Sequence, residues 1–377
     1  MNSFLARIQA QLDAQQFRGL NRQTRVVPEG WKDFTSNDYL GLARSEELRN
    51  AIDAFLSRST RTRNGSGGSR LLSGNSLLAE EAERFVASLS GAPSGLLFSS
   101  GYMANLGVLS CIPQRGDTVL YDEHAHASLK DGIRLSPAAR FSFRHNDLDD
   151  LERKIGKSKG TIFIVVESVY SMDGDLCPLA DLVNLAQQHQ AVVILDEAHG
   201  TGIFGSDGSG LATSLGLEKQ IPIRILTFGK AMGIHGACVC CPETVRNYLV
   251  NFSRPFIYTT AMADHSLAAI QCSFQFLRER PELKSILADK INLFRKHCEF
   301  DTHSGTPIQP VIIGGNEQTR AAAARLQSQG YDVRPVLSPT VRPGTERLRI
   351  CLHVYNRDED IVALARAASQ ALSNRTT

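Results

Sequence analysis

A lysine and an acid–histidine pair follow two apolar segments in the middle of the chain. Lys230 follows the apolar run 223–228, and Asp196 and His199 follow the apolar run 191–195. Because strand ends at one edge of a parallel sheet meet at the ligand crevice, we expect these side chains to lie close together. A Schiff-base lysine, an acid for the pyridine nitrogen and a group near the ring are what pyridoxal phosphate chemistry needs. The alternative for a lone lysine is a solvated surface charge.

The bulk composition is that of a globular protein. The chain has 377 residues, of which 42% are hydrophobic and 21% charged, so two or three lobes are expected. A net charge of +2 gives no electrostatic reason to predict a nucleic-acid or membrane partner. No apolar run reaches the ~18 residues of a membrane span. The acid-poor N-terminus lacks a secretory core and favours a short helical arm, with an organellar transit peptide as the alternative.

Eight cysteines bear on location and on metal binding. They form no Cys-x-x-Cys pair, and reduced thiols indicate a cytoplasmic protein. The cluster of His235, Cys238, Cys240 and Cys241 could hold zinc, but its apolar setting favours a buried strand over the loop spacing of a metal site. We therefore predict no metal.

The order of apolar and helical segments predicts an α/β fold. Between about residues 45 and 245, apolar runs alternate with helical patterns, and continuous apolarity indicates parallel strands buried on both faces. The predicted strands are 95–98, 117–121, 161–166, 191–195, 223–228 and 236–241. From about 265, shorter units predict a smaller α+β lobe. We predict an N-terminal arm (1–44), a large cofactor-binding domain (45–264) and a small C-terminal domain (265–377).

Two glycine-rich segments could bind phosphate groups. Residues 200–205 fit the dinucleotide pattern G-x-G-x-x-G, but no helix opens across these glycines, which argues against a nucleotide fold. Residues 65–70 lack the Gly-Lys-Ser/Thr of a P-loop and fit either a turn or an anion-binding loop.

Three further segments follow predicted strands. Residues 99–105 open a helix, and their amide groups suit either a phosphate seat or an ordinary helix cap. His124 and His126 are either satisfied polar residues or groups over a cofactor ring. Residues 167–175 contain Asp173-Gly174, a pair that favours a turn. A turn does not explain why Ser171 is placed towards the crevice predicted for Asp196 and Lys230.

Several of these motifs together resemble one enzyme family, the α-oxoamine synthases. The matching segments are 36–42, 65–74, 125–128, 170–175, 196–200 and 227–233. The resemblance extends from about residue 15 to 365. It implies a fold-type I pyridoxal phosphate transferase, similar to aspartate aminotransferase, with a mostly parallel central sheet and a smaller C-terminal α+β domain. It also implies a homodimer with shared active sites.

The resemblance assigns roles to residues of this chain. Lys230 is similar to the Schiff-base lysine, Asp196 to the pyridinium partner, His199 to the group bonding the cofactor's 3′-oxygen, and His126 to the ring-stacking residue. The remaining implied cofactor contacts are Gly101, Tyr102, Ser171 and Thr227, with Thr259 and Thr260 reaching the phosphate of the neighbouring subunit.

The substrate contacts implied by the resemblance are spread along the chain. Arg349 is similar to the arginine that binds the amino acid carboxylate, Arg22 and Thr340 are similar to acyl-substrate contacts, and Asn37 belongs to the matching segment 36–42. The motifs around Asp196 and Lys230 most resemble the biotin-pathway member. It condenses L-alanine with a pimeloyl thioester of coenzyme A or acyl carrier protein and releases CO₂. The alternatives are a sister synthase using glycine and acetyl-coenzyme A, an aminotransferase, and a catalytically silent binding protein.

Overall fold

The computed structural model describes residues 3–58, 62–300 and 302–373. Its strands are β1 (Lys32–Asp33), β2 (Ser94–Phe98), β3 (Thr118–Asp122), β4 (Ala139–Phe143), β5 (Ile162–Glu167), β6 (Val192–Asp196), β7 (Ile223–Thr227), β8 (Ala237–Cys241), β9 (Ile308–Ile312), β10 (Tyr331–Asp332), β11 (Arg334–Val336) and β12 (Arg347–Cys351). Its α-helices are α1 (Ser3–Phe17), α2 (Glu46–Ser57), α3 (Leu77–Leu89), α4 (Gly101–Leu109), α5 (Ala127–Leu135), α6 (Leu148–Ile155), α7 (Leu179–Gln188), α8 (Leu211–Ser214), α9 (Glu243–Phe252), α10 (Arg254–Ile257), α11 (Asp264–Glu279), α12 (Glu282–His297), α13 (Asn316–Ser328) and α14 (Asp358–Ser373).

A seven-stranded sheet forms the centre of the molecule. Its strand order is β2-β8-β7-β6-β5-β3-β4. The five strands from β7 to β4 run parallel, whereas β8 lies antiparallel to both β7 and β2. The prediction of an α/β fold with a mostly parallel central sheet is confirmed. Since the parallel strands end at one edge, the loops after β5, β6 and β7 share that edge.

Apolar side chains cover both faces of this sheet. In β3, Val119 packs with Val108 of α4 and Leu129 of α5 on one face. The next residue, Leu120, packs with Leu151 of α6 and other helix residues on the opposite face. Successive strand side chains point to opposite faces, so a run that is apolar at every position needs helices on both sides. This explains why the predicted strands were continuously apolar.

The edge strand β4 was absent from the predicted strands. Ala139, Arg140 and Phe141 are exposed, and only Phe143 is buried. An edge strand has one neighbour and less helix cover, so it does not require the continuous apolar run on which the other predictions depended.

The C-terminal part forms a smaller α+β unit, as predicted. Strands β11, β12 and β9 make an antiparallel sheet, while β1 pairs in parallel with β10. β1 therefore joins the predicted arm to the predicted small domain. The domain limits at 44/45 and 264/265 stay a prediction. Residues 1–2 of the predicted arm and 374–377 of the predicted small domain lie outside the described residues. Within those described, no helix has the length and apolarity that crossing a bilayer requires.

Candidate active site

The ends of three neighbouring strands carry the central charged groups. Asp196 is the last residue of β6, and it pairs in register with Glu167, the last residue of β5. On its other side Asp196 pairs with Ile225 of β7, the strand that precedes Lys230. The parallel register therefore brings two carboxylates and one amine to the same edge, as predicted for Asp196 and Lys230.

The Lys230 amine lies in an environment that disfavours its charge. Burial lowers the pKa of Lys230 to about 8, and the positive charge of Arg349 acts in the same direction. The carboxylates of Asp196 and Glu167 oppose this fall. Near neutral pH a far larger fraction of this amine is therefore unprotonated than of a surface lysine, whose pKa is about 10.4.

Glu167 is a buried acid that the sequence analysis did not assign to the site. Its side chain is 2% exposed, and its Oε1 accepts a hydrogen bond from the backbone N–H of His126 at 2.6 Å. Burial and, to a lesser extent, the charge of Asp196 raise the pKa of Glu167, while the charge of Lys230 lowers it. The net result is a pKa of about 8. The available signal was its position at the last residue of a buried strand.

Asp196 is held by two donors. Asn105 Nδ2 donates to its Oδ2 at 2.7 Å, and the backbone N–H of Ala198 donates to its Oδ1 at 2.8 Å. Asn105, at the end of segment 99–105 in α4, also donates to Ser128 Oγ at 2.9 Å. Neither Asn105 nor Ser128 was predicted. These two bonds fix the orientation of the carboxylate.

Both predicted active-site histidines are held as neutral imidazoles. Burial lowers the pKa of His199 far below its usual value, and its Nδ1 lies 2.9 Å from the hydroxyl of Tyr39. Burial likewise lowers the pKa of His126. The charge of Lys230 also lowers this pKa, whereas that of Asp196 raises it. His126 precedes α5, and its Nδ1 lies 2.7 Å from Ser128 Oγ.

The β2–α4 junction holds Gly101 and Tyr102, two residues of the predicted phosphate seat. α4 begins at Gly101, and Ser100 Oγ caps it by accepting from Met103 N–H at 3.3 Å. A Cβ built on Gly101 would lie 2.5 Å from Thr227 Cγ2, so these two predicted contacts are adjacent. Tyr102 is half exposed and donates to Asp131. The junction offers free amides, a helix N-terminus and a threonine side chain, which suit an anion.

Arg349 links three separate parts of the chain. Its Nε donates to the backbone carbonyl of Ser171 at 2.5 Å. Its Nη2 donates to Asn37 Oδ1 at 3.0 Å and lies 3.5 Å from the Tyr39 hydroxyl. Tyr39 also contacts His199, so the predicted carboxylate site and the predicted cofactor site share a residue that the sequence analysis did not assign.

The remaining predicted residues line two cavities. Thr259 and Thr260 lie with Ser99 around a small cavity beside the β2–α4 junction. Arg22 and Thr340 line one groove of about 1100 Å³, which Met172 also borders. The structure therefore brings Arg22 and Thr340 together across 318 positions of sequence, although their roles stay a prediction. In the described part of the chain, no three or more His, Cys, Asp or Glu side chains are grouped to hold a metal ion.

The sequence matches a known family along most of its length. Residues 29–366 match the family described as aminotransferase class I and II. The chain belongs to the aminotransferase class I and II family. Members of this family with solved structures share the fold over nearly the whole chain. A serine palmitoyltransferase from Sphingomonas wittichii has a TM-score of 0.88 at 25% identity and covers 100% of this chain and 99% of its own.

Relatives of this aminotransferase-family chain carry one recurring name. The 8-amino-7-oxononanoate synthase of Emericella nidulans is 40% identical, with 91% of this chain and 90% of that protein covered. The enzyme of the same name from Methylococcus capsulatus is 39% identical, with 98% and 97% covered. A solved 8-amino-7-oxononanoate synthase from Francisella tularensis is 27% identical, with a TM-score of 0.80 and 93% and 100% covered. The predicted resemblance to the α-oxoamine synthases is confirmed.

Proposed function

We propose that this chain is a pyridoxal phosphate-dependent 8-amino-7-oxononanoate synthase of biotin biosynthesis. It condenses L-alanine with a pimeloyl thioester, and CO₂ and the free thiol leave. The names of its relatives support this assignment. The observation that carries the chemistry is the Lys230 amine with its pKa lowered to about 8 between Asp196 and Glu167.

The residues at the sheet edge fit pyridoxal phosphate. A Cβ at Gly101 would meet Thr227, so only glycine leaves room for a group to approach the α4 amides at this junction. Asp196 presents a carboxylate held by Asn105 to a basic nitrogen, and Lys230 presents an amine to an aldehyde. In addition, a structure of S. paucimobilis serine palmitoyltransferase with a bound PLP–myriocin aldimine has a TM-score of 0.86 at 27% identity, with 98% of this chain and 97% of that one covered.

Each catalytic side chain has a distinct task in this proposal. When bound, pyridoxal phosphate supplies an aldehyde that condenses with amines and a protonated ring that withdraws electrons. Asp196, oriented by Asn105, keeps the ring nitrogen protonated. Lys230 Nζ accepts the proton from the α-carbon of L-alanine, since its lowered pKa makes it a base near neutral pH. His126, held neutral, would cover the ring face. Neutral His199, whose Nδ1 lies 2.9 Å from the Tyr39 hydroxyl, would bond the cofactor's 3′-oxygen through Nε2.

Different residues are assigned to the two substrates. Arg349 binds the L-alanine carboxylate, with Asn37 fixing one end of its guanidinium. The groove lined by Arg22 and Thr340 receives the acyl thioester, on coenzyme A or acyl carrier protein. A new carbon–carbon bond would join the alanine α-carbon to the thioester carbonyl as the carbon–sulfur bond breaks and the thiol leaves. The bond to the original carboxylate would then break, CO₂ would leave, and the α-carbon would take up a proton in its place.

We place this enzyme in the cytoplasm as a homodimer. Thr259 is partly exposed and Thr260 is exposed, and in the homodimer both would reach the phosphate of the partner subunit. The partners are small molecules and an acyl donor.

Borohydride trapping tests the lysine assignment. Wild-type protein incubated with pyridoxal phosphate and borohydride should acquire a stable adduct on the peptide that contains Lys230. The Lys230→Ala variant should acquire none at the site, because the amine that interacts with both Asp196 and Glu167 has been removed. An adduct of equal yield on another lysine would refute the assignment, and circular dichroism of the variant serves as the folding control.

A product assay separates the proposed function from its rivals. The serine palmitoyltransferase structures show that other α-oxoamine synthases share this fold, so amino acid and acyl donor must be varied together. We expect product only from L-alanine with pimeloyl thioester. Turnover of glycine with acetyl-coenzyme A, or α-ketoglutarate-dependent transamination, would assign the chain to a sister function, and a protein that binds no cofactor would be a silent member.

A further inference from the structure

His145 belongs to a polar cluster beside the active site for which the proposed chemistry has no use. Its Nδ1 lies 2.9 Å from Asp122 Oδ1, and its Nε2 lies 2.7 Å from Asp175 Oδ2. Carboxylates only accept hydrogen bonds, so both ring nitrogens must carry protons, and the ring is an imidazolium. Burial, the largest single effect, lowers the pKa of His145, but the hydrogen bonds and charges of the two carboxylates together outweigh it and raise the pKa to about 10.

The cluster joins two segments that are distant in sequence. Asp122 is the fully buried last residue of β3 and also accepts from the backbone N–H groups of His124 and Asn146. Asp175 closes the turn 170–175, in which its carbonyl accepts from Tyr170 N–H at 3.0 Å. His145 is therefore a charged link between the end of β3 and this turn.

The turn 170–175 contacts both arginines of β12. The carbonyl of Ser171 accepts from Arg349 Nε at 2.5 Å. The carbonyl of Met172 accepts from Arg347 Nη1 at 3.3 Å, and Asp173 forms an ion pair with the same guanidinium. Any displacement of the turn would therefore change the direction in which Arg349 points.

The aromatic neighbours hold the His145 ring in one orientation. His124 stacks on it at 4.0 Å between ring centroids and 17° between planes, and Tyr170 meets it edge-on at 4.5 Å. His124 also lies 3.3 Å from Asp173 Oδ2. The extra histidine that precedes His126 in the sequence thus belongs to the His145 cluster.

We propose that His145 is a positioning residue for the amino acid carboxylate: by holding the turn 170–175 against β3, it fixes the carbonyl that orients Arg349. This inference rests on the proposed function, in which Arg349 binds L-alanine. Without the imidazolium, Asp122 and Asp175 would repel each other across the gap, and the turn would move away from β3.

Equilibrium binding to the cofactor-loaded enzyme tests this role without turnover. Calorimetry would compare L-alanine with L-alaninamide, which lacks the carboxylate. For His145→Gln we expect roughly tenfold weaker binding of L-alanine and less than about twofold change for L-alaninamide, because only the carboxylate contact is misplaced. His189→Gln, which removes a half-exposed imidazole near Glu152, is the matched control and should change neither.

A second variant guards against a folding defect. Asp175→Asn keeps the side-chain shape and removes one charge, so it should weaken L-alanine selectively and by less than His145→Gln. Equal losses for both ligands, or unchanged L-alanine affinity in both variants, would overturn the positioning role. If wild-type holoenzyme fails to bind L-alanine, the proposed function itself fails.

Discussion

At the scale of single residues, the site depends on an amine and an acid that are both moved from their usual pKa values. Burial lowers the pKa of Lys230 and raises that of Glu167. Their opposite charges act against these shifts, because Glu167 raises the pKa of Lys230 and Lys230 lowers that of Glu167. Both groups therefore have a pKa of about 8, close to where a catalytic base is most effective. A carboxylate in this place keeps the amine from losing its proton too readily.

Replacement of this acid should shift the pH dependence of cofactor binding. The Lys230 amine attacks only when unprotonated, so uptake of pyridoxal phosphate by the apoprotein should rise with pH through about 8. Glu167→Gln removes a negative charge that raises the pKa of Lys230, so the midpoint should move to lower pH. Stopped-flow absorbance would measure it, with the exposed Glu47→Gln as control. A midpoint that stays in place or moves upward would contradict the coupling.

At the scale of elements, the start of α4 depends on a close approach to β7. Gly101 packs against Thr227 so tightly that one added carbon would lie 2.5 Å from Thr227 Cγ2. A methyl group here would push the helix N-terminus away from the strand end. The amides that we assign to the phosphate would then lose their position relative to Lys230.

A rescue experiment addresses this contact directly. Gly101→Ala should weaken pyridoxal phosphate binding about tenfold, as expected for overpacking of a tight contact. Adding Thr227→Ser removes the clashing Cγ2 but keeps the hydroxyl, so the double variant should recover most of the affinity. Gly156→Ala is the control, since its Cβ would lie 3.8 Å from the nearest atom. Fluorescence titration would measure the affinities, and a double variant as weak as the single one would argue against the steric explanation.

At the scale of the whole molecule, the carboxylate site is assembled from segments far apart in the chain. Asn37 and Tyr39 come from the N-terminal segment, Ser171 from the turn after β5, and Arg349 from β12. β1 pairs with β10 and so fixes the N-terminal segment to the C-terminal unit. The amino acid binding that we propose for Arg349 would therefore require both parts of the molecule to be in place.

The proposed homodimer adds a second chain to each site, and purified heterodimers can test it. One subunit would carry Lys230→Ala and the other Thr259→Ala with Thr260→Ala, distinguished by two affinity tags. If the threonines serve the partner's site, one site receives both defects and the other none, so the heterodimer should keep about half of wild-type activity. Each homodimeric variant should be strongly impaired. A heterodimer no more active than its parents would show that each site uses its own threonines.

The sequence alone determined the fold class and the chemical type of the site. Continuous apolar runs reveal strands buried on both faces, and polar residues after such runs must meet at one sheet edge, which is why Asp196 and Lys230 could be predicted. Gly101 and Thr227 were implied by the resemblance to the α-oxoamine synthases. Edge strand β4 was not predicted, because most of its residues are exposed and the strand therefore has no continuous apolar run.

Only the tertiary structure decided which groups complete the site. Asn105, Glu167 and Tyr39 were visible within recognisable motifs, but their partners are 91, 41 and 160 positions away, as the hydrogen bonds to Asp196, His126 and His199 show. The His145 link and the grouping of Arg22 with Thr340 are of the same kind. Local periodicity reports what a residue faces in its own element, whereas pKa values and side-chain contacts depend on the packing of distant elements against one another.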